Sequence, residues 1–159
     1  MEAELRPLDP RLRTVWVLGG LIGALAMGGI AGAAEFLVAE RPRGWPLPRG
    51  AGTALVVLLL ASRAVFWSPL RHRSWRYGLR PRDLFLSWGV IWRVRRSVPR
   101  SRIQHVDVQS GPVERAFGLA TLVVYTAGTG DADAHVPGLP AAEAEALRET
   151  LLHPEGPDA

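Results

Sequence analysis

The stretch TVWVLGGLIGALAMGGIAGAA, residues 14–34, decides the architecture of the chain. No charge interrupts its 21 positions, and a helix of that length spans about 30 Å, the thickness of a bilayer's hydrocarbon core. The length predicts a transmembrane helix. A second apolar stretch, residues 50–70, contains the dense run ALVVLLLA at 54–61 and one charge, Arg63. An arginine at the bilayer centre would cost about 3 kcal/mol, so Arg63 is placed toward the aqueous side carrying the C-terminal half, where it can snorkel. Trp67 sits one turn beyond it, and Trp16 and Trp45 flank the first span, as an interfacial aromatic belt requires. Between the spans, residues 35–49 contain Pro42, Gly44, Pro46 and Pro48, which break a continuous helix and turn the two spans into an antiparallel hairpin.

The first span carries Gly20, Ala24, Gly28 and Gly32 at four-residue intervals, a small-residue stripe that lets another helix backbone come close. The favoured partner is the second helix of the same chain, which the short loop supplies at high effective concentration; dimerisation is the alternative. A cleaved signal peptide ending at Ala31-Gly32-Ala33 is a rival reading of the same stretch. Its apolar region would exceed the usual 7–15 residues, and a second span follows at once.

Orientation follows from arginine. Arg6, Arg11, Arg13, Arg63, Arg71, Arg73, Arg76, Arg80 and Arg82 lie on one side, nine residues against Arg41, Arg43 and Arg49 in the loop. Both termini are therefore expected in the cytoplasm, with the chain multi-pass in the cell (inner) membrane. There is no lysine, and arginine together with abundant Ala, Gly and Pro fits GC-rich coding as well as phosphate binding. The absence of cysteine excludes disulfides, thiolate metal sites and thiol nucleophiles.

Beyond residue 70 the pattern changes to short β-like runs at 74–79, 84–88, 90–98, 103–109, 121–127 and 134–136, with Pro or Gly in most gaps. In the third run Val90, Trp92, Val94 and Val98 are expected on one face, and Ile91, Arg93 and Arg95 on the other, with Arg96 out of pattern. Runs this close leave no room for crossover helices, so the sheet is antiparallel. At 140–152, Ala144, Leu147 and Leu151 recur at helical spacing beside Glu143, Glu145 and Glu149, with Pro140 in the first turn. The fold class is thus α+β: a two-helix transmembrane hairpin, then an antiparallel β domain capped by a C-terminal helix. The divisions fall at 1–13, a cytoplasmic lead-in; 14–70, the hairpin; 71–153, the β domain; and 154–159, a frayed tail.

The segment IQHVDVQSGPVERAFGLA, residues 103–120, together with Tyr125-Thr126-Ala127-Gly128 and the stretch from Pro137-Gly138-Leu139 to Glu145, resembles the YdbS-like family of bacterial pleckstrin-homology-like (PH-like) domain proteins. The pattern I-Q-x-V-x-V-x-x-G-P-x-E-R-x-F-G-L-A is carried by Ile103, Gln104, Gly111, Pro112, Glu114, Arg115, Phe117, Gly118 and Leu119. The resemblance covers the whole chain. It implies a strongly bent antiparallel sheet, usually of seven strands, closed by a C-terminal helix on the cytoplasmic side, with no known enzymatic activity and a poorly defined molecular role. A larger membrane protein with several such domains is the partner it implies. The motif also makes physical sense alone. Gly111-Pro112 ends a strand and starts a helical turn, Phe117 and Leu119 can plug the core, and Gly118 allows a tight reversal. Glu114 and Arg115, adjacent on one turn, cannot face each other, so each needs another partner.

No catalytic pattern competes with this reading. His72, His105, His135 and His153 are scattered outside any nucleophile-elbow, zinc-protease or P-loop arrangement. Asp131, Asp133 and His135 alternate as metal ligands could, but a polar hairpin following Gly128-Thr129-Gly130 explains them equally well. His105 and Asp107 share a strand face that reads as solvated. No catalytic residue, metal or cofactor is assigned. The block Arg93, Arg95, Arg96, Arg100 and Arg102 could meet phosphates of an anionic lipid surface, or form a solvated basic edge. Nucleic acid is set aside, since no helix-turn-helix, zinc finger or RNA-binding signature accompanies the charge. The leading expectation is a membrane-anchored module that assembles with itself or with other membrane proteins; headgroup binding is the alternative.

Overall fold

The computed structural model describes residues 5–37, 48–127 and 134–152. The chain forms two compact units, one of Trp16–Pro69 and one joining Met1–Val15 to Leu70–Ala159.

The first unit is built from the helices α1 (Arg11–Leu37) and α2 (Ala51–Ser74). Its interface uses the small-residue stripe. A methyl group added to Gly20 would collide with Ala64, one added to Gly28 would collide with Val57, and Gly32 faces Thr53 at van der Waals distance. Ala24 is buried on the same face. Glu35, near the end of α1, accepts hydrogen bonds from the amides of Gly50 (2.8 Å) and Gly52 (3.1 Å). Its carboxylate thus satisfies donors that the start of α2 would otherwise leave open. Ser68 is buried but donates to the Ala64 carbonyl one turn back (2.7 Å), and Pro69 follows within the helix.

The outward face is a different matter. Leu25 is 69% exposed and Phe66 73%, and Ile22, Ile30, Leu55, Leu58 and Leu59 are exposed as well. Only 11% of each apolar window is buried, so neither helix is the core helix of a soluble protein. A bilayer is the solvent in which such a face is stable.

The second unit is the β domain. Strands β1 (Arg76–Leu79), β2 (Asp83–Trp88) and β3 (Val94–Pro99) form one antiparallel sheet in that order. Strands β4 (Ile103–Gln109), β5 (Leu119–Thr126) and β6 (Ala134–Pro140) form another. A short 3-10 turn, Arg100–Arg102, joins the sheets. The helix α3 (Pro112–Ala116) connects β4 to β5, and α4 (Ala141–Leu152) closes the chain over β4, β5 and β6. The described residues thus contain six strands, where the resemblance led us to expect seven. In β2 the period of two is plain: Leu84 and Leu86 are fully buried between half-buried neighbours. Strand β5 lies between two others and is covered by α4, so Leu119, Ala120, Leu122, Val123 and Val124 form a nearly continuous buried run.

Several local expectations change, among them the start of β1 at Arg76, the bounds of β5 at Leu119–Thr126 and the extension of β6 to Pro140. The third strand starts at Val94, not at 90, because Gly89 takes a left-handed conformation (φ 113) that turns the chain; 89–93 is the loop between β2 and β3. Trp92 is consequently exposed, 84%, and does not share a half-buried face with Val98; Ile91, expected on the other face, is exposed as well, 73%. Pro140 is the last residue of β6, paired with Leu119, and α4 begins after it.

The N-terminal segment is also more than a lead-in. Leu8 and Leu12 are among the most buried side chains of the molecule. Arg6 and Tyr77 exchange backbone hydrogen bonds (2.8 and 3.0 Å), which extends the first sheet by one antiparallel bridge beside β1. Gly138 has a left-handed φ of 66, and a side chain there would collide with Leu12.

Candidate functional site

Several motif residues are tied to their local backbone. Gly111 caps α3 and Pro112 occupies its first turn, where its missing amide hydrogen costs nothing. Glu114 reaches back to accept from the Gly111 amide (3.0 Å) and also accepts from the Thr121 hydroxyl on β5 (2.9 Å). One carboxylate therefore fixes both the start of α3 and its distance from β5. Arg115 donates to the Ser110 carbonyl (3.3 Å). Gly118 takes φ 66 to reverse the chain into β5, and Leu119 is buried at 1% exposure. Phe117, expected in the core, is half-buried instead. Its carbonyl accepts from Arg11 Nη1 (3.1 Å), which locks the reversal against the N-terminal segment. Ile103 is half-buried at the start of β4 and Gln104 is exposed.

Asp9 organises that segment. Its carboxylate accepts from the Arg11 amide (2.8 Å) and from the Arg11 guanidinium (3.0 and 2.9 Å), and its carbonyl accepts from His72 Nε2 (3.0 Å). The Arg11 hydrogen bond holds the Asp9 carboxyl below its ordinary value, against the opposing effect of burial. Asp9-Pro10 is a helix-start signal that could have been read from sequence, because Asp is a favoured N-cap and Pro a favoured first residue.

A cleft of about 300 Å³ lies between β1 and α4, with Gly78, Leu79, Ala146 and Leu147 among its walls. At its rim the Tyr77 hydroxyl donates to Glu143 (2.8 Å), and Arg6 lies 3.8 Å from the same carboxylate. Burial, and after it this hydrogen bond, push the Tyr77 phenol well above its ordinary pKa. Sequence reading missed this cleft, because Arg6, Tyr77 and Glu143 are far apart in the chain.

The five arginines are not gathered into one pocket. Arg93 and Arg95 are exposed, while Arg96 is half-buried on the alternate face of β3, the face of Val98. Arg100 donates to the Thr150 carbonyl (3.1 Å) near the end of α4, and Arg102 is exposed. His105 is exposed and stacks on Tyr125, with ring centroids 4.1 Å apart, and Asp107 is half-buried. Asp131, Asp133 and His153 lie outside the described residues, as do Arg41, Pro42, Arg43, Gly44, Trp45 and Pro46. Among the described residues no three His, Cys, Asp or Glu side chains are grouped to hold a metal ion.

Two apolar helices with lipid-facing exteriors, followed by an antiparallel β domain closed by a helix, define a transmembrane protein with a PH-like domain. The chain belongs to the bacterial PH domain family, whose model matches residues 17–155. It is 33% identical over 108 residues to the UPF0699 transmembrane protein YdbS of Bacillus subtilis (strain 168). The alignment covers 67% of this chain and 66%, a little under two thirds, of that relative. No solved structure matches the chain.

Proposed function

We propose that this protein is a non-enzymatic assembly module of the cell (inner) membrane, holding its PH-like domain in the cytoplasm to bind protein partners. The topology has support in one compact unit. Residues that precede the first span and residues that follow the second are packed together there, so both ends of the hairpin emerge on one side. The arginine bias supports the cytoplasm as that side.

The observation that carries the assembly reading is the cleft between β1 and α4. Its charges are already paired with one another through Arg6, Glu143 and Tyr77, and its walls are largely apolar. Such a surface suits a polypeptide segment better than a phosphate, which would need unpaired cationic donors. The pairing of Arg6 with Tyr77 is a precedent for an extended segment lying at this edge. A second copy, or a membrane protein with several PH-like domains, is the proposed partner. The test is crosslinking and mass measurement of the full chain in mild detergent, with Leu147→Glu as the cleft variant. A specific complex lost in the variant is the expected result; a strict monomer with no co-purifying protein would reject assembly.

The alternative reading is headgroup contact through Arg93, Arg95, Arg96, Arg100 and Arg102. It is favoured by the absence of any acidic residue between Asp83 and Asp107 and by the exposure of Arg93, Arg95 and Arg102. Native mass spectrometry of the full chain should then show retained anionic phospholipid that is lost when the five are replaced by glutamine. Equal retention by the variant would eliminate this reading.

A further inference from the structure

We propose that the loop 89–93 is an interfacial membrane anchor, in which Ile91 and Trp92 enter the headgroup region of an anionic bilayer while Arg93 and Arg95 meet its phosphates. The inference rests on the membrane placement proposed above and adds residues that neither reading uses. It starts from exposure. Trp92 is 84% exposed, Ile91 73% and Val94 41%, an apolar tip on a domain whose other large apolar strand residues are buried or half-buried. Indole favours the bilayer interface because it offers an apolar body and one hydrogen-bond donor.

The tip is built rather than slack. A side chain on Gly89 would collide with the Trp92 carbonyl, and Gly89 holds the left-handed φ of 113 that such a turn needs. The Gly89 amide donates to Ser74 Oγ (3.3 Å), and that hydroxyl donates to the Arg71 carbonyl (2.7 Å). Trp75 and Trp88 stack beside this contact with centroids 5.2 Å apart. The base of the loop is thereby fixed to the last turn of α2. Ser74 is five residues beyond Pro69, where the membrane unit ends, and five helical residues rise only about 7 Å. Short covalent reach limits how far the loop's base can lie from the end of the apolar helix.

Charge suits an anionic surface. The stretch 84–106 contains no acidic residue, and Arg93 and Arg95 at the tip are exposed cations. A protein partner could also cover an indole, but the attachment of the loop to the membrane-exit turn of α2 favours the bilayer itself.

The absence of native cysteine makes the test clean. The full chain carrying Trp92→Cys, Gln109→Cys or Phe66→Cys is spin-labelled and reconstituted in vesicles of phosphatidylcholine and phosphatidylglycerol. Collisions with oxygen and with a water-soluble nickel chelate then report depth. Position 92 should lose nickel collisions and gain oxygen collisions relative to 109, and Arg93→Glu with Arg95→Glu should reverse both shifts. Equal collision profiles at 92 and 109, with 66 embedded in lipid, would overturn the anchor alone. An aqueous profile at 66 would show that the membrane placement itself had failed. Shielding of 92 in native membranes but not in pure lipid vesicles would assign the loop to a protein and overturn the proposal.

Discussion

In residues 111–119 a charged side chain, Glu114, turns back on its own backbone, whereas in residues 89–102 Trp92, Arg93, Arg95 and Arg102 are exposed. The two stretches are close in sequence, and each has a claim to function. The first fixes three backbone events within nine residues: a cap, a first-turn proline and a left-handed reversal. Each is tied to a residue type, so the pattern is long and particular because the backbone demands it. The second makes few such demands beyond Gly89. Trp92, Arg93, Arg95 and Arg102 are exposed to a surface, whereas Arg96 is half-buried, Ser97 donates to Asp83, Val98 is buried and Arg100 is bonded to the end of α4. Specificity of pattern therefore marks the fold here, and looseness of pattern marks the exposed face.

The sharpest way to break this contrast is to remove Leu119. It is 1% exposed on a strand paired on both sides, so Leu119→Ala should cost about 2–5 kcal/mol, through lost burial and the cavity left behind. Urea unfolding of the full chain in detergent, followed by tryptophan fluorescence, should show a midpoint far below that of the parent. Glu114→Ala should rank next, at about 1–3 kcal/mol, because it strips acceptors from both the Gly111 amide and the Thr121 hydroxyl. Glu114→Gln keeps an acceptor oxygen and should fall between the parent and the alanine variant. If alanine at 114 left the midpoint unchanged, the motif would have to be re-read as a ligand site.

Much of this fold is legible in the sequence, for identifiable reasons. The two spans show because hydrophobic length is a one-dimensional property, and the antiparallel β domain with its closing helix shows because period and turn residues are local. Contacts across the chain leave no such trace. Leu8 and Leu12 complete the core, but both spans separate them in sequence from the strands, the first of which starts at Arg76, and Leu12 packs at Gly138 of β6. Glu35 as a cap for α2, and Arg100 as a partner for the end of α4, are long-range in the same way. The misread start of β3 has a different cause. Val90 to Val98 alternate well enough to pass as one strand, and only the left-handed Gly89 and its contact with the Trp92 carbonyl show that four of those residues form the loop. The cleft was illegible because it takes one residue pair from opposite ends of the chain, Arg6 and Glu143.

Tyr77 sharpens the contrast through pH. The fold raises its phenol pKa above the ordinary value of about 10, so folding favours the protonated form. The stabilisation is complete below about pH 10 and is lost as pH rises toward the folded-state pKa, because the unfolded chain ionises first. The full chain should thus lose thermal stability above pH 10, and Tyr77→Phe should flatten that decline. A decline of equal steepness in the variant would show that the cleft rim makes no contribution to it.

The smallest expected effect lies on the outward side. Arg93 and Arg95 are exposed, and surface charges of this kind contribute little to folding, so Arg93→Ala and Arg95→Ala should each change stability by no more than about 0.5 kcal/mol. Mild effects on folding are what make these positions useful for asking about function. A pair of substitutions that leaves the unfolding midpoint in place, yet weakens retention of anionic phospholipid as salt is raised, would separate surface chemistry from structure. If instead each variant unfolded as readily as Leu119→Ala, the outward stretch would prove to be as structural as the motif, and the contrast between them would fail.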